Sequence, residues 1–344
     1  MSSKKPSISL ENVSCDLGGT RILDGVNLQL HQGEITVVLG PSGAGKSTLL
    51  RAIAGFEPIS GGKITTPHDE LSSAARTAPP EQRKIGFVVQ SFALFPHLTA
   101  EDNVRFGLDK AAPASLPGEW LARVKLSDRA HAYPHELSGG EQQRVALARA
   151  LARDPDVVLL DEAFSSLDQQ LRKSVRRDAK ALLREAGAAV LVVTHDPDEA
   201  MELADRIVIL SAGKVLQEGA PEELFWRPQS EVCGRLLGEI NAVSGTYSDA
   251  SFETAFGTIS GLISAEITPN AALIRPMAAY PVEDPTSDLI VDNIEFSGGQ
   301  SEYVVCAKNG QVLRLSGAMR DSIKAGSKVR IEFDPARVGW AFSD

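Results

Sequence analysis

Between the apolar run Ile35-Thr36-Val37-Val38-Leu39 and the helix-like Leu49-Leu50-Arg51-Ala52-Ile53-Ala54 lies Gly40-Pro41-Ser42-Gly43-Ala44-Gly45-Lys46-Ser47-Thr48. A strand, a glycine-rich loop and a helix in that order leave few folds open. The glycines let backbone N–H groups turn inward around phosphate oxygens, and the helix start adds the positive end of its dipole. In this pattern Lys46 reaches the β- and γ-phosphates and Ser47 ligates Mg²⁺. A glycine-rich turn alone is an ordinary turn; with both flanks present, residues 40–48 are a candidate nucleotide-phosphate cradle.

Three further segments follow in a fixed order. Leu137-Ser138-Gly139-Gly140-Glu141-Gln142-Gln143-Arg144 comes first, then Val157-Val158-Leu159-Leu160-Asp161-Glu162, then the apolar Ala189-Val190-Leu191-Val192-Val193-Thr194 ending at His195. Together with the phosphate loop they resemble the ATP-binding cassette (ABC) ATPases across roughly residues 6 to 236. The resemblance implies an α/β fold: a P-loop, RecA-like nucleotide-binding domain with a helical subdomain, binding ATP and Mg²⁺. It also implies a homodimer in which the Leu137-Ser138-Gly139-Gly140-Glu141 segment contacts the γ-phosphate held by the opposite subunit.

Each segment has its own physical reading. Ser138 with Glu141 three residues later forms a capping box that fixes a helix start, an anion site if its N–H groups are exposed and an ordinary cap otherwise. Asp161 closes a four-residue apolar run suited to a strand buried on both faces. A carboxylate at that end lies where ligands bind in parallel sheets; it would hold Mg²⁺ directly or through water. The adjacent Glu162, by resemblance, polarises the attacking water, although two acids at a strand end also suit a helix cap. The family usually has proline next, where this chain has Ala163.

Gln90, after Ile85-Gly86-Phe87-Val88-Val89, falls where the family places a glutamine that senses Mg²⁺ and the attacking water. His195 falls where an imidazole bonds the γ-phosphate, and Ser165-Ser166-Leu167-Asp168 where two cassettes touch. Phe92, Leu94 and Phe95 are either core or, as in related importers, part of a groove for a short helix of a membrane subunit. One family feature is missing: Leu17 aligns with the aromatic residue that stacks on adenine, and leucine offers no π-face.

With 344 residues the chain has room for about two domains. Its net charge of −10 argues against general nucleic-acid binding. Cys15, Cys233 and Cys306 show neither metal-ligand spacing nor a disulfide pattern, which suits a reducing compartment. No run of about 18 apolar residues suggests a membrane span, and Met1-Ser2-Ser3-Lys4-Lys5-Pro6 lacks a signal-peptide core. The expected division is an ATPase domain over 1–236 and a β-domain over 240–344. In the latter, short runs such as Ala272-Leu273-Ile274-Arg275, Leu289-Ile290-Val291, Tyr303-Val304-Val305 and Lys328-Val329-Arg330-Ile331-Glu332-Phe333 alternate with turn signals. Asn309-Gly310 is a hairpin marker. This segment looks like a small OB-type barrel and resembles the regulatory β-domain of importer ATPases; Met277 stands where relatives usually have glutamate.

The resemblance therefore implies an importer ATPase on the cytoplasmic face of the inner membrane. Its partners would be two transmembrane permease subunits and, indirectly, an extracytoplasmic binding protein. The phrases Gly55-Phe56-Glu57-Pro58, Leu94-Phe95-Pro96-His97-Leu98-Thr99 and Phe164-Ser165-Ser166-Leu167-Asp168-Gln169-Gln170-Leu171-Arg172 look most like ferric-iron importers. Polyamine, sugar, sulfate and thiamine importers are the alternatives, with non-transport cassettes a further one.

Overall fold

The computed structural model describes residues 6–109, 111–164, 169–248, 251–260, 269–320 and 322–342. The chain divides into two compact units, Met1–Pro221 and Glu222–Asp344.

In the first unit a hairpin of β1 (Ile8–Leu17) and β2 (Thr20–Leu30) leads into β3 (Ile35–Leu39), the phosphate loop and α1 (Lys46–Ala54). Then come β4 (Gly61–Thr65), β5 (Glu70–Ser73), β6 (Arg76–Thr77) and β7 (Ile85–Val88). Helices α2 (Ala100–Phe106), α3 (Leu116–Arg123) and α4 (Gly139–Leu151) follow, with α2 and α3 packed on α4. The unit closes with β8 (Val157–Asp161), α5 (Gln169–Ala186), β9 (Ala189–Thr194), α6 (Pro197–Leu203), β10 (Arg206–Ser211) and β11 (Lys214–Gly219).

These strands form two sheets. One is antiparallel in the order β2-β1-β4-β5-β6; the other runs β11-β10-β3-β9-β8-β7 and is parallel except for the edge strand β11. All residues of β3 and β9 are buried, as are the first four of β8. This is why their sequences are continuous rather than alternating apolar runs. Each fully buried Val, Leu or Ile here contributes roughly 1.5–3 kcal/mol relative to exposure. The parallel register pairs Leu39 with Thr194 and Asp161 with Val193, so the carboxyl ends of β3, β9 and β8 finish level with one another.

Arg83 pins α1 from below. Its buried guanidinium donates to the carbonyls of Ala52 and Ile53 at the helix end, to those of Leu71 and Ala78, and to Ser72 Oγ. Burial draws this guanidinium down to about 10, and the ring of carbonyl acceptors keeps its donors satisfied.

The second unit begins with most of α7 (Pro221–Trp226) and α8 (Glu231–Leu236), helices that sequence reasoning assigns to the ATPase domain. Strands β12 (Asn241–Ser248), β13 (Ser251–Thr254), β14 (Gly257–Ser260), β15 (Pro269–Ile274) and β16 (Ala279–Glu283) come next. They are followed by β17 (Leu289–Ser297), β18 (Gln300–Cys306), β19 (Val312–Gly317), β20 (Lys328–Phe333) and β21 (Val338–Phe342). Two antiparallel sheets result, β14-β13-β12-β15-β21 and β16-β20-β17-β18-β19, enclosing Phe252, Val291, Val305, Leu313 and Val329. The expected hairpin is present: β18 and β19 pair from Cys306–Val312 outward, with Gly310 at φ 82° in the turn.

Candidate active site

The phosphate loop leaves the buried end of β3 and is held close to the neighbouring strand. A Cβ on Gly40 would lie 2.1 Å from the Leu210 carbonyl oxygen of β10, so no larger residue fits there. Gly45 takes φ 100° and caps α1 without any side-chain acceptor, which leaves the first N–H groups of the helix facing the loop. Lys46 is only 6% exposed and folds back, its Nζ donating to the carbonyls of Gly40 at 2.8 Å and Pro41 at 2.9 Å. Burial pulls this ammonium below the usual lysine range, opposed by the carboxylates of Glu162 and Asp161.

Ser47, in the first turn of α1, donates its Oγ–H to Asp161 Oδ1 at 3.1 Å. Burial raises the Asp161 carboxyl, with Glu162 adding to the rise and the Ser47 hydrogen bond opposing it. Neighbouring ligands of an octahedral Mg²⁺ at ~2.1 Å lie ~3 Å apart. The hydroxyl and carboxylate therefore already stand at the spacing that such an ion requires, and a cation would offset the cost of the buried charge. These residues fit Mg²⁺.

Asp161 and Glu162 part company at the strand end. Glu162 adopts φ 45°, outside the strand region, and its N–H donates to the Val193 carbonyl at 3.1 Å. Its carboxylate turns to the loops after the two flanking strands: Oε2 accepts from Gln90 Nε2 at 3.4 Å, and Oε1 lies 3.1 Å from His195 Nδ1. Gln90, Glu162 and His195 thus follow β7, β8 and β9, three adjacent parallel strands, and meet where ligands bind in such sheets.

Residues 137–141 form the start of α4. Ser138 Oγ accepts the Glu141 N–H, while Glu141 Oε2 accepts the Ser138 N–H at 2.8 Å and its hydroxyl at 2.7 Å, so the capping box is complete. These bonds hold the Glu141 carboxyl below its usual range. Gly139 and Gly140 sit in the first turn and Leu137 is buried. Leu17 ends β1 opposite Thr20, 37% exposed beside the Asp16–Arg21 ion pair. The segment Ser165-Ser166-Leu167-Asp168 lies outside the described residues.

Three residues around the site carry no sequence motif. Arg149, on α4, donates to the carbonyls of Phe92 and Ala93 at 2.8 Å each, holding two residues with φ of 60° and 45° just after Gln90. Phe92 is buried; Leu94 and Phe95 are half-buried, and the Phe95 ring lies 4.2 Å from that of the exposed Phe106, tilted by 47°. Thr194 and Glu199, both buried, hydrogen-bond beside His195. Their partners are set by tertiary structure, so only the short Thr194–Glu199 spacing offered a signal.

Comparison with known proteins agrees with this geometry. The pattern of the "ABC transporter" family matches residues 23–165. A putative ATP-binding protein of Brucella abortus (strain 2308) is 43% identical over 94% of this chain and 94% of its own length. The spermidine/putrescine import ATP-binding protein PotA of Haemophilus ducreyi is 42% identical over 71% of this chain and 66% of its own. Among solved structures, a dimeric ATP-binding cassette in a post-hydrolysis state with ADP and Pi aligns with a TM-score of 0.54. It shares 33% identity over 62% of this chain and 98% of that one. CbiO1 from Clostridium perfringens, part of the ABC transporter complex cbiONQ, aligns with a TM-score of 0.59 and 28% identity over 64% of this chain and 91% of that one. With a phosphate loop, a Ser47–Asp161 pair fitted to Mg²⁺, and a relative alike over nearly its whole length, this chain belongs to the ABC transporter family as an ATP-hydrolysing subunit.

Proposed function

We propose that the chain powers an import complex as a homodimer on the cytoplasmic face of the inner membrane, beneath two permease subunits supplied by an extracytoplasmic binding protein. The observation that carries the chemistry is the meeting of Gln90 and His195 on the two oxygens of Glu162. Glu162 polarises the attacking water, His195 bonds the γ-phosphate, and Gln90 senses Mg²⁺ and the water. The loop from Gly40 to Thr48 wraps the phosphates, with Lys46 released from the Gly40 and Pro41 carbonyls to neutralise them. Ser47 and Asp161, with Gln90 nearby, hold Mg²⁺, whose charge offsets that of the triphosphate. Leu137, Ser138, Gly139, Gly140 and Glu141 close the partner subunit's site through the N-terminus of α4, and Leu17 lies against the base. Catalysis is then positioning and charge neutralisation more than covalent chemistry.

Import is supported by the PotA relatives, which are spermidine/putrescine import ATP-binding proteins. The exposed Phe106, with the half-buried Phe95 beside it, supplies an aromatic surface for a permease helix. Among the described residues no helix is long and apolar enough to cross a membrane, which fits attachment through such partners. We divide the chain into an ATPase domain, 1–236, and a regulatory β-domain of OB type, 240–344. The ferric-iron reading rests on three short phrases; the PotA names favour a polyamine instead, over an alignment of 250 residues. Purification of the tagged chain from its native membrane tests the assignment: two permease subunits are expected to co-purify, and recovery without any membrane protein would overturn it. Uptake of labelled spermidine and of ferric iron in a strain lacking the chain then separates the two cargoes.

A further inference from the structure

We propose that Glu199 is a positioning residue for ATP hydrolysis: its carboxylate acts through the Thr194 hydroxyl to fix the turn that sets His195 against Glu162. The inference deepens the hydrolytic reading of that pair and rests on it.

Thr194 is the last residue of β9 and Glu199 lies in the first turn of α6, with His195 between them. Glu199 is 1% exposed and Thr194 2%. The Thr194 hydroxyl donates to Glu199 Oε2 at 3.0 Å and accepts the Asp196 N–H at 3.0 Å. Asp196 Oδ1 in turn accepts the N–H groups of Asp198 at 2.9 Å and Glu199 at 3.2 Å. The turn from 194 to 199 is therefore closed on itself by four hydrogen bonds, and the His195 side chain, 53% exposed, is directed out of it toward Glu162 Oε1.

A helix needs no buried acid to pack against a sheet. An isolated buried carboxylate costs several kcal/mol of desolvation, and Glu199 Oε1 finds no hydrogen-bond partner. Nor does Glu199 form the usual capping box, because the N–H of the cap residue Asp196 goes to Thr194. What the acid gains is one bond, to the hydroxyl that organises the turn.

The charged groups acting on Glu199 are Asp196 at the cap of its own helix, Glu162 from the end of β8, and Arg176 from α5. Arg176 lies 3.1 Å from Glu202 and 3.9 Å from Asp196. Burial, then Asp196 and Glu162, push the Glu199 carboxyl up to about 7, against Thr194 and Arg176. Below that pH it is mostly neutral and above it mostly ionised. A proton on the unpartnered Oε1 leaves Oε2 free to accept from Thr194, so the link survives in both states; a negative charge stands behind His195 only in the ionised one.

The test uses the full chain and steady-state ATP hydrolysis. Glu199→Ala and Thr194→Val are each expected to lower kcat about five- to twentyfold, the equivalent of one lost and unsatisfied hydrogen bond. KM for ATP should stay within about twofold, and the double variant should be no worse than Thr194→Val alone, because that change already cuts the link that Glu199→Ala removes. Glu199→Gln, whose amide oxygen still accepts from Thr194, should restore most of kcat and remove any inflection of kcat near pH 7. Wild-type kcat in folded Glu199→Ala, losses that multiply in the double variant, or Glu199→Gln as slow as Glu199→Ala at an unchanged melting temperature would each overturn the proposal. If Glu199→Ala fails to fold, Thr194→Val and Glu199→Gln decide. Unimpaired hydrolysis by Glu162→Gln would instead overturn the underlying reading of the pair.

Discussion

Glu162→Gln changes one oxygen to an NH₂ group at the point where three strand ends meet. The carboxylate offers one acceptor to Gln90 Nε2 at 3.4 Å and another to His195 Nδ1 at 3.1 Å. The amide retains a single acceptor. If its oxygen stays on His195, its NH₂ faces that of Gln90, donor to donor, until the Gln90 amide turns over. Shape is thus kept at small cost while the carboxylate proposed to polarise the attacking water is lost. General-base catalysis contributes about 10²–10⁴ in rate, equivalent to about 3–5 kcal/mol of barrier, so turnover should fall by that factor. ATP affinity should hold or improve, because one negative charge leaves the neighbourhood of the phosphates while Lys46, Ser47 and Asp161 are untouched. Phosphate release reads the first effect, and ATP-dependent dimerisation on size exclusion reads the second. Near-normal hydrolysis in the variant would refute the reasoning, whatever its affinity for ATP.

Mixing Lys46→Ala subunits with Ser138→Arg subunits should restore one intact composite site and a measurable fraction of wild-type ATPase activity. No recovery, with heterodimers shown by mass spectrometry, would mean that Ser138 only caps α4. Arg149→Met should cost about 2–4 kcal/mol of stability through two lost charge-assisted bonds, one of them to the carbonyl of the buried Phe92, and slow hydrolysis by loosening the loop after Gln90; an unchanged melting temperature and kcat would contradict this. Leu17→Tyr should tighten ATP binding, since base-to-aromatic stacking is worth about 1–3 kcal/mol. Calorimetry on the Glu162→Gln background checks it, and equal affinities would show that the base is held by another group.

How much of this was legible in the sequence follows from the range of the interactions. The phosphate loop, the capping box at Ser138 and the hairpin at Asn309-Gly310 are built from neighbours in the chain, and so could be read directly. The fully buried strands were legible because a sheet covered on both faces demands unbroken apolar runs. Arg149 was not, since its partner Phe92 lies 57 residues away and nothing near it distinguishes it from other helical arginines. Arg83 was missed for the same reason, holding the end of α1 from 30 residues downstream. Helices α7 and α8 carry no composition shift, so sequence joined them to the ATPase domain, whereas compactness groups nearly all of both with the β-rich unit.

Backbone strain marks the same place as the motifs. Among the described non-glycine residues with left-handed φ, Phe92, Ala93 and Glu162 cluster just past the ends of β7 and β8. Such conformations cost of order 1–3 kcal/mol each and persist only where the surroundings impose them. Here Arg149 imposes two of them through the carbonyls of Phe92 and Ala93, and the hydrogen bond to Val193 secures the third. The strained loop after Gln90 is therefore held by the helix that begins at Ser138. A displacement of α4 would be felt at Gln90, and through Gln90 at Glu162, by contacts that are already made within one chain. If a partner subunit closes onto Ser138 as proposed, it acts on that helix, and Arg149 would then connect the docking of two cassettes to the carboxylate of Glu162.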